Sequence, residues 1–165
     1  MSFILSQPTL ATVNYYGAFS DYTTQTLAAG VAGAVQLGAT DFARGFSIVS
    51  NSRITTQVTG LYNLQFSLQL QNTSVSLDDV YVWLRRDGTD IDGSTGYISV
   101  PSRHGGLDGH LIVGWNWFVS LSVNQYVEIF WSTVGGSTTV KTYPATVAPV
   151  RPSTASAVVT IGMVA

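Results

Sequence analysis

Residues 60–71 read Gly-Leu-Tyr-Asn-Leu-Gln-Phe-Ser-Leu-Gln-Leu-Gln, and this stretch decides the fold. Tyr62, Leu64, Phe66, Leu68 and Leu70 alternate with Asn63, Gln65, Ser67, Gln69 and Gln71. That two-residue period marks a strand with one face buried. Its length and regularity predict a central strand over 61–71. The second face carries amides and a hydroxyl in place of charges, which is unusual for a solvated sheet surface. It has the character of a surface that meets another copy or another protein.

Composition extends the same reading. The 165 residues fit one domain, able to bury roughly 68–70% of its unfolded surface. Charged residues make up 10% of the chain, against about 25% in ordinary soluble domains. With one glutamate (Glu128), one lysine (Lys141) and abundant valine, threonine and aromatics, helix formers are scarce and the chain is expected to be nearly all-β. Cysteine is absent, so neither disulfides nor thiolate metal sites are available. Arg44, Arg53, Arg85, Arg86, Arg103, Lys141 and Arg151 are scattered and the net charge is −2, which argues against nucleic-acid binding. The start, Met1-Ser2-Phe3-Ile4-Leu5, lacks the basic residue and cleavage pattern of a secretory signal. No apolar run of about 18 residues predicts a membrane-spanning helix.

Outward from the central strand, further elements follow. Residues 1–14 are uncharged, mildly apolar and aperiodic, and are expected to form an arm. Residues 15–26 predict a first strand. Residues 28–39 contain Gly30, Gly33 and Gly38, each costing about 1 kcal/mol in a helix interior, so a loop with a short strand near 35–37 is expected. Phe46–Val49 and 53–59 predict a hairpin turning at Asn51-Ser52. Residues 79–86 are apolar on both alternating faces, which predicts a strand covered on both sides, and Asp87-Gly88 supplies a tight turn into Gly96–Val100. A second clear period runs over 111–123, with Trp115, Trp117, Val119, Leu121 and Val123 on one face and Asn116, Phe118 and Ser120 on the other. Asn124-Gln125 turns the chain into 126–132. The uncharged 155–165 predicts a last strand, placed centrally because an exposed edge of that composition invites aggregation. Eight to ten strands at this spacing predict an antiparallel β-sandwich.

The order of a G-x-Y-x-x-x-F strand at 60–66, a V-W-L-R-R-D-G hairpin at 82–88, an N-Q-Y-V-E-I turn and strand at 124–129, a proline-rich loop and an apolar final strand resembles the jelly rolls of the tumour necrosis factor and complement globular-head superfamily. The likeness covers about residues 15–165. Within that superfamily the hairpin at 81–88 is similar to compact versions in structural proteins of tailed phages. The Gly-Asp common before the penultimate strand is Asn124-Gln125 here.

The resemblance implies a TNF-like jelly roll over 15–165 and a homotrimer meeting through the sheet that holds the first, central and last strands. Gln65, Ser67, Gln69, Phe118, Ser120, Val159, Ile161 and Met163 are the expected interface, and their lack of charge suits closure around a threefold axis. The expected role is a non-enzymatic virion component: a decoration or cement protein on the capsid surface of a tailed phage. It would be held to the major capsid protein or another virion protein by an arm in which Phe3, Ile4, Leu5, Pro8 and Leu10 are the anchors. The alternative is a receptor- or glycan-binding head of a tail fibre or other trimeric adhesin or ligand, reading its target with loops around 72–78, 101–110 and 133–142, where Tyr143 is a candidate aromatic.

Other site chemistry is weaker. His104, Asp108 and His110 could supply a two-histidine, one-carboxylate metal site, yet they match no compact zinc or iron motif, and no cofactor is expected. Asp87, Asp90 and Asp92 suggest a calcium loop, but the twelfth-position glutamate is missing and the glycines suit hairpin turns. No G-x-S-x-G, H-E-x-x-H or phosphate-cradling glycine loop is present, so no enzyme activity is expected. Trp115 and Trp117 fall on the apolar face, where core packing is their expected use.

Overall fold

A computed structural model describes residues 14–165. Over these residues the chain is all-β, an antiparallel β-sandwich of jelly-roll type in which one sheet curls into a half-barrel. Seventeen strand segments are present among the described residues, and nine of them have five or more residues. Eight of those nine overlap strands that the sequence predicts, two of them dividing the 111–123 stretch; Ala39–Arg44 is the ninth, and the predicted hairpin strands Phe46–Val49 and Arg53–Thr56 have four residues each.

The first sheet runs, in space, Ala39–Arg44, Tyr16–Asp21, Ala157–Met163, Gly60–Asn72. Along the far edge of Gly60–Asn72 lie Asn116–Leu121 and then Gly109–Val113. Thr138–Val140 pairs with the Leu70–Asn72 end and carries Gln25–Thr26 beside it. The second sheet runs Gly96–Val100, Asp78–Arg86, Tyr126–Thr133, Arg53–Thr56, Phe46–Val49, with Ala32–Ala34 added to Tyr126–Thr133. The chain passes from one sheet to the other several times, so each face of the core is built from segments far apart in sequence.

The alternation of 60–71 sets the core. Tyr62, Leu64, Phe66, Leu68 and Leu70 are buried to 6% exposure or less, and each contributes about 2 kcal/mol by removal from water. They meet Val80, Val82 and Leu84 of the facing sheet, together with Val127, Ile129 and Trp131. The Tyr62 hydroxyl is satisfied inside this layer by Thr56 Oγ1 at 2.9 Å and the Val58 carbonyl at 2.5 Å. The last strand sits between the first and the central strands, as its composition predicts.

Several expectations are corrected. The short strand after Ala28 is Ala32–Ala34, while Val35 and Leu37 leave it to enter the core at 1% and 2% exposure. The hairpin between Phe46–Val49 and Arg53–Thr56 turns through three residues, Ser50, Asn51 and Ser52, one residue earlier than expected: φ is 53° and 58° at Ser50 and Asn51, and the Ser52 N–H donates to the Val49 carbonyl at 3.3 Å. Ala39–Arg44, which begins where the expected loop of 28–39 ends and carries no predicted strand, pairs with the first strand across a bulge at Ala18/Phe19. The 111–123 stretch is two strands in one unshifted register, interrupted where the Gly114 backbone passes so close to Phe66 that a Cβ there would lie 2.2 Å from its carbonyl oxygen. Asp78–Arg86 is covered on one face alone: on the other, Tyr81 leans on Tyr97, and Trp83 on Phe130, with both tyrosines exposed. Aromatic pairs cover part of the surface that the sequence assigns to a second layer. Residues 1–13, with the proposed anchors Phe3, Ile4, Leu5, Pro8 and Leu10, lie outside the described residues.

Candidate functional site

The outward face of the first sheet brings uncharged residues of several strands together. Register places Asn63 beside Gly162, Gln65 beside Thr160 and Ser67 beside Val158. On the other flank Gln65 faces Asn116 and Asn63 faces Phe118. Tyr16 extends the face across the first strand, while Ala18 and Ser20 hold the same parity but are buried, at 5% and 2% exposure. Charges stand at its borders: Asp41 accepts a hydrogen bond from Ser20 Oγ at 3.0 Å, and Arg86 Nη1 donates to the Ser120 carbonyl at 3.3 Å. Large apolar groups project from it, with Phe42 62%, Phe118 55% and Ile112 64% exposed. A groove of about 520 Å³ runs between Gln65–Ser67 and Trp115–Asn116.

The expected interface residues divide on this geometry. Gln65, Phe118 and Ser120 are exposed, and Ser67 and Gln69 half-buried, on the one face. Val159 and Ile161 are core residues at 0% and 2% exposure, and Met163 packs against that core. Ala157 pairs with buried Leu68, so the odd-numbered residues of the last strand point inward and Val158, Thr160 and Gly162 occupy the outward positions. Thr160 and Gly162 were the signal for this phase in an otherwise apolar segment.

The metal candidates do not converge. His104 lies in a tight turn closed by backbone bonds with Leu107. Asp108 Oδ2 accepts from Gln71 Nε2 at 2.8 Å and its Oδ1 lies 3.5 Å from Arg103 Nε. His110 Nδ1 shares a 2.9 Å hydrogen bond with the Tyr143 hydroxyl. Among the described residues no three His, Cys, Asp or Glu side chains cluster as ligands. In the 87–93 turn, Asp87 Oδ1 accepts from the Tyr126 N–H, and Asp90 Oδ1 accepts from Trp83 Nε1 at 2.8 Å beside Arg85. Trp115 stacks edge-on against Phe66 at 4.6 Å, and Trp117 is half-buried against the core.

The loops at 72–78, 101–110 and 133–142 meet at one end of the sandwich. Arg103 N–H donates to the Ser74 carbonyl, Thr73 N–H to Ser137, and Ser137 Oγ to Asn72 Oδ1. The sequence does not reveal the group that organises them. Asp78, 2% exposed, accepts from Thr133 Oγ1 (2.5 Å), Gly135 N–H (2.7 Å), Thr138 N–H (2.8 Å), and Ser137 through both Oγ (3.0 Å) and N–H (3.1 Å). Burial raises its pKa, but the bonds from Thr133, Gly135, Thr138 and Ser137 outweigh that and hold the carboxyl below its ordinary 3.8. Next to it Asp79 is also held low by hydrogen bonds from Ser99 and Tyr97, and the same contact raises the Tyr97 phenol. No helix long and apolar enough to cross a membrane occurs among the described residues. No protein-family model matches this sequence, and no curated protein is similar to it.

Proposed function

We propose that the chain is a non-catalytic structural subunit that closes as a homotrimer through the outward face of its first sheet and decorates the capsid of a tailed phage. The observation that carries this reading is the charge-free field around Gln65, Ser67, Thr160 and Asn116, with Phe42, Ile112 and Phe118 projecting from it. Such a surface costs little to desolvate, and a threefold axis repeats each contact, so it would be expensive to place like charges there. The adjacency of first, last and central strands, which the resemblance to the tumour necrosis factor and complement globular heads calls for, supports the same arrangement. Residues 1–14 would anchor the trimer to the major capsid protein or another virion protein.

The mass in solution tests the assembly. Native mass spectrometry is expected to give three copies, and Thr160→Asp to give a folded single copy. A wild-type protein that remains a single copy at micromolar concentration refutes the assembly. Removing residues 1–14 is expected to leave the trimer intact and to abolish co-sedimentation with particles of the major capsid protein; retained co-sedimentation refutes the arm's role. A second reading, a receptor- or glycan-binding head, is favoured by the hydrogen-bonded convergence of the three loops at one end, which gives a rigid reading surface.

A further inference from the structure

At the loop end of the first sheet, the excursion through residues 141–156 folds back on the central strand. The Lys141 N–H donates to the Gln69 carbonyl, and Tyr143 and Thr154 exchange backbone hydrogen bonds at 3.2 and 2.8 Å. The fold-back leaves an open cleft of about 370 Å³ lined by Gln69, His110, Ile112, Tyr143, Arg151 and Thr154, within the size range of small-molecule sites. Its polar groups converge. His110 Nδ1 holds the Tyr143 hydroxyl at 2.9 Å, which leaves the other ring nitrogen of His110 without an assigned partner. The Arg151 guanidinium lies 5.6 Å from the Tyr143 ring centre, makes no ion pair among the described residues, and reaches the Pro152 carbonyl with one nitrogen at 3.4 Å.

We propose that this cleft binds an acidic monosaccharide, with Arg151 taking its carboxylate, Gln69 and Thr154 its hydroxyls, and Ile112 and Tyr143 the C–H face of its ring. The planar fork of arginine matches a carboxylate with two parallel hydrogen bonds. Charge selects a monoanion over a phosphate dianion. Arg151 is the one permanent cation lining the cleft, and the nearby Asp108 carboxylate, whose field reaches Tyr143, opposes a second negative charge. Burial, followed by Asp108, raises the Tyr143 phenol above its ordinary value, so it stays protonated in its hydrogen bond with His110 and its ring remains neutral. Gln69 offers a donor and an acceptor in one amide and Thr154 a hydroxyl that does either, the mixed capacity that sugar hydroxyls require. Exposed Ile112 beside an aromatic ring provides the apolar wall. Gln69 and Ile112 also border the face proposed to close the trimer, so the titration is run on the Thr160→Asp single copy as well as on the wild type, and saturable binding by either counts for the cleft.

The test is isothermal titration of the full chain with sodium glucuronate, sodium N-acetylneuraminate, glucose and inorganic phosphate at neutral pH. At least one acidic sugar is expected to bind saturably, and glucose at least about tenfold more weakly, the loss of one charge-assisted contact. Arg151→Gln is expected to remove the preference for the acidic sugar while thermal unfolding is unchanged, and Thr154→Val to weaken binding with the charge preference retained. Absence of binding by both acidic sugars, equal binding of glucose, binding of phosphate in their place, or an Arg151→Gln protein that binds as the wild type overturns the proposal.

Discussion

Replacing Asp78 probes the node that ties the three loops together. In Asp78→Ala five hydrogen bonds lose their acceptor. Gly135 is exposed and Ser137 half-buried, so their N–H groups can turn to water, but Thr133 and Thr138 are 0% exposed. Each buried donor left unpaired costs about 1–3 kcal/mol, so the expected loss is roughly 3–5 kcal/mol. Urea unfolding followed by tryptophan fluorescence reads this as a midpoint lowered by about 1.5–2.5 M, taking a slope of about 2 kcal/mol per molar. The milder Asp78→Asn keeps one acceptor oxygen and loses the charge, and supplies the pH limb. The folded pKa of Asp78 lies below 3.8, so the fold favours the ionised form. Its contribution is therefore fully present above the unfolded value of about 3.9, and is lost as pH falls through the lower folded value. The stability gap between wild type and Asp78→Asn is expected to be constant from pH 7 to about 5 and to narrow below about 4. A loss below about 0.5 kcal/mol for Asp78→Ala, or a gap that is the same at pH 3 and pH 7, refutes the assignment of Asp78 as the organising acceptor.

Two further outcomes follow from the packing. Val159→Ala is expected to cost about 2 kcal/mol by opening a void in the core, and Val158→Ala on the same strand within about 0.5 kcal/mol of zero, both by urea unfolding of the dissociated subunit; the reverse ranking would mean that the last strand has the opposite phase. Gly109→Ala places a Cβ 1.8 Å from the Pro101 carbonyl oxygen, a backbone atom, so a loss of several kcal/mol or failure to fold is expected, whereas normal thermal unfolding would show that the two segments do not approach so closely.

The central strand and its buried side were legible because five polar residues strictly separate the five apolar ones. The last strand was legible as central, because an edge of that composition would be unprotected, but its phase was misread: valine and isoleucine stand on both parities, and Thr160 and Gly162 are weak markers beside them. The outer face of Asp78–Arg86 misled for a related reason. Tyr81 and Trp83 suggest burial by hydrophobicity, yet Trp83 Nε1 donates to Asp90 and both rings lie against neighbouring rings at the surface. Asp78 itself could not be read, since its partners lie more than fifty residues away in sequence. The cleft at Arg151 was hidden likewise: Tyr143 stood out as an aromatic in a loop, but its contact with His110 depends on how residues 141–156 fold back.

The seat of Ala157–Met163 between the strands that begin and centre the sheet has a consequence for how the molecule comes into being. Tyr16–Asp21 can pair early with Ala39–Arg44, but that pair cannot join Gly60–Asn72 until residues 157–163 have left the ribosome, so during synthesis the central strand waits with one side open and apolar groups uncovered. Topologies closed by such distant partners fold slowly. Removing those seven residues would not trim a tail; it would unzip the sheet along its middle.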